Sequence, residues 1–179
     1  MSLRNALRAG TSADHATVDD AFARFNLSDR ADYGAFLLAH ARAIPAWEGA
    51  LEEGGIAALV PDWAERRRTD LLLADLDDLG LEAPAGLDVE PLDTADRLWG
   101  AVYVLEGSKL GGALLARSVP ASLPSRYLAT QGPKGSMKAF MDRLDAHFPQ
   151  DEAQAIDAAR RVFETFRDAA AAESRSVPA

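Results

Sequence analysis

The sequence predicts an all-α protein, and three observations carry that reading. Alanine, leucine, arginine and acidic residues dominate the composition, β-branched residues are sparse, and apolar positions recur at intervals of three and four along most of the chain. The 179 residues, 48% of them hydrophobic, suffice for one domain with a sizeable core and no crosslinks.

Taken in order, a first helix is expected over about residues 3–25, with Leu7, Thr11, His15, Val18, Phe22 and Phe25 along one face. Ser28 or Asp29 caps a second, which carries Tyr33, Phe36, Leu37, His40, Ile44, Trp47 and Leu51, bends at Pro45 and stops at Gly54-Gly55. A third is expected over 62–80 with Leu72, Leu76 and Leu79 inward. Residues 81–93 hold Pro84, Gly86 and Pro91 and read as a connection too short to separate two cores. The fourth helix spans about 94–117. Pro120, Pro124, Gly132, Pro133 and Gly135 interrupt the next stretch of chain, before two amphipathic helices over 136–148 and 151–173. The last turns Ile156, Ala159, Phe163, Phe166 and Ala170 inward. Residues 1–173 thus read as one helical domain and 174–179 as a disordered tail.

The inventory excludes several chemistries. The absence of cysteine removes disulfides, thiolate zinc sites, iron–sulfur clusters and cysteine nucleophiles, so metal chemistry must use histidine, carboxylates or a cofactor. A net charge of −9 disfavours nucleic acid and anionic membrane surfaces as partners. The polar start, Met1-Ser2-Leu3-Arg4-Asn5, and the lack of a membrane-length apolar run lead us to expect a cytoplasmic protein.

Two local patterns carry chemistry. On the first helix, steps of seven and eleven residues return to within about 20° of one direction, so Arg4, Arg8, His15 and Phe22 stand in line. An imidazole beside an apolar neighbour suits a buried, neutral metal ligand. The arginines, about 10 and 16 Å toward the N-terminus, suit an acidic edge of the same ligand. An iron porphyrin combines those needs in its axial position and its propionates. A hydrogen-bonded core histidine fits the pattern as well. His40 lies on an apolar stripe between Leu37 and Ile44 with no cation beside it and reads as structural; His147, near a helix C-terminus, reads as a surface residue.

The second pattern is a helix with too many glycines. Residues 99–115 contain Gly100, Gly107, Gly111 and Gly112, each costing about 1 kcal/mol relative to alanine in a helix interior. Gly100, Gly107 and Gly111 define a bare strip along which a flat ligand, or alternatively another helix, approaches the backbone.

Leu7-Arg8-Ala9-Gly10-Thr11-Ser12-Ala13-Asp14-His15 resembles the proximal-helix motif of heme oxygenases. The run from Val102 through Gly107-Ser108-Lys109-Leu110-Gly111-Gly112 is similar to the distal helix of their bacterial branch, the kind found with bacteriophytochromes. Tyr33-Gly34-Ala35-Phe36-Leu37, Pro45-Ala46-Trp47-Glu48, Arg66-Arg67-Arg68 and Asp75-Leu76-Asp77-Asp78-Leu79-Gly80 agree with it. The resemblance spans roughly residues 3–170 and implies a heme oxygenase-like multihelical fold. It also implies His15 as the iron ligand, Arg8 as a propionate partner, and Gly107 and Gly111 as distal contacts; the line along the first helix adds Arg4 and Phe22 as candidate heme contacts. Ser108 stands where mammalian members hold a water-organising aspartate, and it becomes the candidate for proton delivery.

The implied reaction is cleavage of heme to biliverdin, carbon monoxide and ferrous iron, with heme as substrate and cofactor. It consumes O2 and electrons from a donor such as ferredoxin or a reductase, and a bacteriophytochrome is a candidate acceptor of the product. The close distal backbone is expected to tilt oxygen toward a meso carbon, while Glu106, about 100° around the helix, faces a helix terminus or a cation. A non-catalytic heme carrier or sensor with the same fold is the main alternative; a helical interaction module whose glycines only pack is another. A di-iron carboxylate site would need Glu-x-x-His pairs, and none precedes His15, His40 or His147.

Overall fold

The computed structural model describes residues 2–174, and among them every regular element is helical. The helices are α1 (Leu3–Phe22), α2 (Arg30–Glu53), α3 (Trp63–Arg66), α4 (Thr69–Leu79), α5 (Ala95–Leu115), α6 (Arg126–Ala129), α7 (Ser136–Ala146) and α8 (Glu152–Ser174). The long ones start on polar caps: Ser2 accepts the Asn5 amide, Asp29 accepts those of Ala31 and Asp32, and Thr94 accepts that of Arg97. Gly80, in the left-handed region at φ 72°, ends α4. No helix of the described residues is long and apolar enough to cross a membrane.

α8 is the hub, packing against α1, α2 and α5. Close approach is written in two glycines facing it. A Cβ on Gly100 would lie 2.0 Å from the Ala155 carbonyl oxygen, and one on Gly10 would lie 2.9 Å from the Ile156 side chain. Buried residues from Leu3 to Ala170 form one connected apolar cluster, with Trp47, Tyr33, Phe36, Phe140 and Tyr127 among its largest members.

Three expectations are corrected. The helix expected over 62–80 is two, broken at Arg67 and Arg68, because buried carboxylates from other helices capture that turn. Ser174 belongs to α8, where its hydroxyl donates to the Ala170 carbonyl; the rest of the expected tail, residues 175–179, lies outside the described residues. His147 is not a bare surface residue. Its Nε2 lies 2.7 Å from Asp96 on the first turn of α5, and its ring packs on Trp99. Burial pushes the Asp96 carboxyl up, but bonds from His147 and the Asp151 amide outweigh it and hold the group below its ordinary value.

Candidate functional site

A cavity of about 580 Å³ opens between α1 and α5, a size and apolar character suited to a small organic ligand or cofactor. α1 contributes Arg8, Thr11, Ser12, His15, Asp19 and Phe22; α5 contributes Tyr103, Gly107, Ser108 and Gly111. Phe36 and His40 of α2, Arg68, Tyr127, Met141, and Phe163 and Phe166 of α8 complete the walls.

The glycines of α5 divide by what they face. Gly100 is a packing residue against the Ala155 backbone, and Gly112, which also borders the cavity, packs against Leu128. Gly107 and Gly111 line the cavity, and a Cβ on either would meet nothing within 4 Å. The bare strip therefore serves both purposes, helix packing at its upper end and open space at its lower.

His15 lies across from them, though not as the sequence suggests. Its side chain is 64% exposed rather than buried, because α1 forms the open lip of the cavity. Its Nδ1 sits 2.9 Å from Asp19 one turn on, and its ring meets Phe163 edge-on at 5.7 Å. With Nδ1 donating to a carboxylate, Nε2 is the nitrogen left to bind a metal. Asp19 was legible from its i+4 spacing. Among the described residues no cluster of three or more His, Asp or Glu is placed to hold a bare metal ion.

Arg8 is exposed, lines the cavity and has no carboxylate partner among the described residues. Arg4 is not part of the lining; its guanidinium lies 2.9 Å from Asp145. Both are close enough to oppose the rise that burial imposes on the Tyr103 phenol. Phe22 joins the aromatic floor, 4.6 Å from the His40 ring and 5.5 Å from Phe36.

His40 lines the cavity, and a cation, Arg68, does accompany it. It forms part of the cavity wall among Phe22, Phe36, Tyr127 and Phe166. Burial lowers its pKa to about 4, against the bond to the Phe36 carbonyl and helped by Arg68, so the ring is neutral at pH 7. A carbonyl only accepts, so Nδ1 carries the proton in the 2.8 Å contact with Phe36 and Nε2 is an acceptor. Arg68 approaches through the turn before α4. Its Nη2 donates to the Leu105 carbonyl at 3.1 Å and to the Ser108 hydroxyl at 2.6 Å, while the guanidinium stacks 4.9 Å from the Tyr127 ring. Nε and Nη1 have no protein acceptor among the described residues. Ser108 in turn donates to the Leu105 carbonyl at 2.7 Å, so its one proton is committed. No helical spacing distinguishes Arg68 from Arg66 or Arg67, whereas Tyr103, four residues before Gly107, shares its face and was detectable.

On its far side α5 is anchored by Glu106, which accepts from Arg66 at 2.7 Å and from Lys109 at 2.6 Å, all three buried. Glu106 does face cations, as its position on the helix predicts. Burial lowers the Lys109 pKa despite that partner.

No protein-family model matches the chain. A heme oxygenase of Xanthomonas campestris pv. campestris is 31% identical over 156 residues, covering 82% of this chain and 93% of that protein. The chain belongs to the heme oxygenase family. A second member, the heme oxygenase PigA of Pseudomonas aeruginosa, is 35% identical over 127 residues, 63% of either chain. The fold agrees as well: the NO- and CO-bound heme oxygenase from Neisseria meningitidis superposes with a TM-score of 0.82 at 26% identity, over 97% of this chain and 92% of that one. Within a heme oxygenase fold, the cavity between α1 and α5 is the part whose chemistry needs explaining.

Proposed function

We propose that this cavity seats heme between His15 and the α5 backbone, and that the protein degrades it to biliverdin, carbon monoxide and ferrous iron. The observation that carries the reading is the pairing of His15 with Gly107 and Gly111, which face open space while Gly100 is packed against α8. The residues fit the group. His15 offers Nε2 to iron, with Asp19 holding the other nitrogen; aromatic walls suit a porphyrin face; Arg8 and Tyr103 suit propionates at the mouth. Bound heme would supply the iron that activates O2 and the ring that is cleaved.

The chain's own part is to place, exclude and donate. Side-chain-free backbone at Gly107 and Gly111 leaves room for a flat ligand to lie close against α5, and would set which edge of bound heme faces the open space. Phe22, Phe36 and Phe166 keep bulk water from the floor. The Arg68 N–H groups without a protein acceptor would orient water in the cavity, through which protons arrive from solvent; the Nε2 of neutral His40 is an acceptor for such water, and Ser108 orients Arg68. Electrons come from a donor such as ferredoxin with its reductase, the reaction is placed in the cytoplasm, and a bacteriophytochrome is a candidate acceptor of the product.

The test is to titrate the purified protein with hemin and then add ascorbate, or ferredoxin and its reductase, in air. A Soret band that decays into biliverdin absorbance is the expected result. A stable band would make the protein a carrier, and absence of any band would overturn heme binding. His15→Ala is expected to lose the histidine-ligated spectrum and to regain it with added imidazole.

A further inference from the structure

Arg68 enters the cavity from a helix start that has no cap of its own. Arg68 occupies the N-cap position of α4 and its side chain bonds none of the first amides. The missing acceptor comes from α2. Glu48 Oε1 accepts the Arg68 amide at 2.6 Å, while Oε2 accepts the Thr69 amide at 3.0 Å and the Thr69 hydroxyl. Glu48 is buried, where a carboxylate needs donors, and this one has three.

The geometry goes beyond capping. With both oxygens engaged, residues 68 and 69 are pinned at adjacent points, and the direction in which the Arg68 side chain leaves the turn is set by them. That side chain crosses to α5, stacks on Tyr127 and bonds Ser108, next to the bare backbone of Gly107. A loosened turn would keep the helix but lose the aim. We infer that Glu48 is a positioning residue for heme cleavage: its carboxylate, acting from α2, holds the Arg68 guanidinium at the cavity beside Ser108. The inference rests on the proposal that the cavity seats heme.

The experiment uses the ferric hemin complex and reads, from the visible spectrum, the pH at which water on the hemin iron loses its proton. A guanidinium held nearby favours the hydroxide and keeps that pH low. Glu48→Gln preserves shape but presents an amide donor to a donor, and is expected to raise the transition by about 0.5 unit or more. Arg68→Met should raise it at least as far, and the double variant no further than Arg68→Met alone. Thr69→Val, which removes one donor and leaves the Arg68 amide, should give a smaller rise and carries the test should Glu48→Gln fail to fold. Hemin affinity should stay near that of the parent in Glu48→Gln and Thr69→Val, since neither residue lines the cavity.

An unmoved transition in Glu48→Gln and Thr69→Val while Arg68→Met moves overturns the inference, and so do additive effects of Glu48→Gln and Arg68→Met. An unmoved transition in Arg68→Met overturns it too, by showing that the guanidinium does not act at the cavity. The parent's failure to show a Soret band is a separate outcome, which overturns the heme reading itself.

Discussion

At the scale of single residues, His40 couples the cavity to the stability of the fold. Its pKa is lowered to about 4 in the native protein by burial, against an ordinary value of 6.5 when unfolded. The unfolded chain therefore binds the extra proton throughout that window, and stability falls as pH drops from about 6.5 to 4. Over that interval the loss amounts to about 3 kcal/mol from this one ring. His40→Phe, which fills the aromatic floor without a titrating group, is expected to flatten the dependence of Tm on pH between 6.5 and 4. Thermal unfolding of the hemin-free parent and variant at half-unit pH steps measures it, and parallel curves would show that the ring does not titrate as its burial requires. The same residue shows where sequence reading stops. Periodicity placed His40 on an inward stripe correctly, but the cation that makes it part of a site comes from Arg68, 28 residues on, and no local pattern reports that meeting.

At the scale of elements, the glycines of α5 make the sharpest prediction, because two identical substitutions on one helix should act with opposite sign. Gly100→Ala forces a methyl to within 2.0 Å of the Ala155 carbonyl oxygen and should destabilise the hemin-free protein by about 2–3 kcal/mol as α5 and α8 are pushed apart. Gly107→Ala meets nothing, gains helix propensity and should stabilise the same protein by about 0.5–1 kcal/mol while weakening hemin binding. Urea denaturation and a Soret titration on both variants check it; a destabilised Gly107→Ala would mean that another part of the protein, not a ligand, fills that space. The sequence puts Gly100, Gly107 and Gly111 on one strip because periodicity reports an angle around the helix axis. It does not report which neighbour stands at a given height, so the division between packing and binding waited for the structure. Helix starts at Asp29 and Thr94 were legible because their acceptors are local. The break at Arg67 and Arg68 was not, since its acceptor, Glu48, lies on another helix.

At the scale of the whole molecule, α1 and α5 each pack on α8 rather than extensively on one another, and the cavity occupies the gap between them. A ligand held by His15 on one wall and lying against Gly107 and Gly111 on the other joins two elements that the polypeptide alone leaves apart. Binding to the native state and not to the unfolded chain stabilises by mass action, about 2.7 kcal/mol at a free ligand concentration 100 times Kd. For a chain of this length each kcal/mol moves Tm by about 2–4 °C, so hemin at that excess should raise Tm by roughly 5–10 °C. The gain should be distributed unevenly. Amide hydrogen exchange is expected to slow over residues 8–19 and 104–115, the two walls, and to change little in α4, which already packs on α2 and α6. His15→Ala, which keeps the apolar walls and removes the metal bond, should retain only part of the Tm increase. A rise in Tm with protection confined to α4 would place hemin elsewhere on the molecule, and equal increases in parent and His15→Ala would show that the imidazole does not hold the iron.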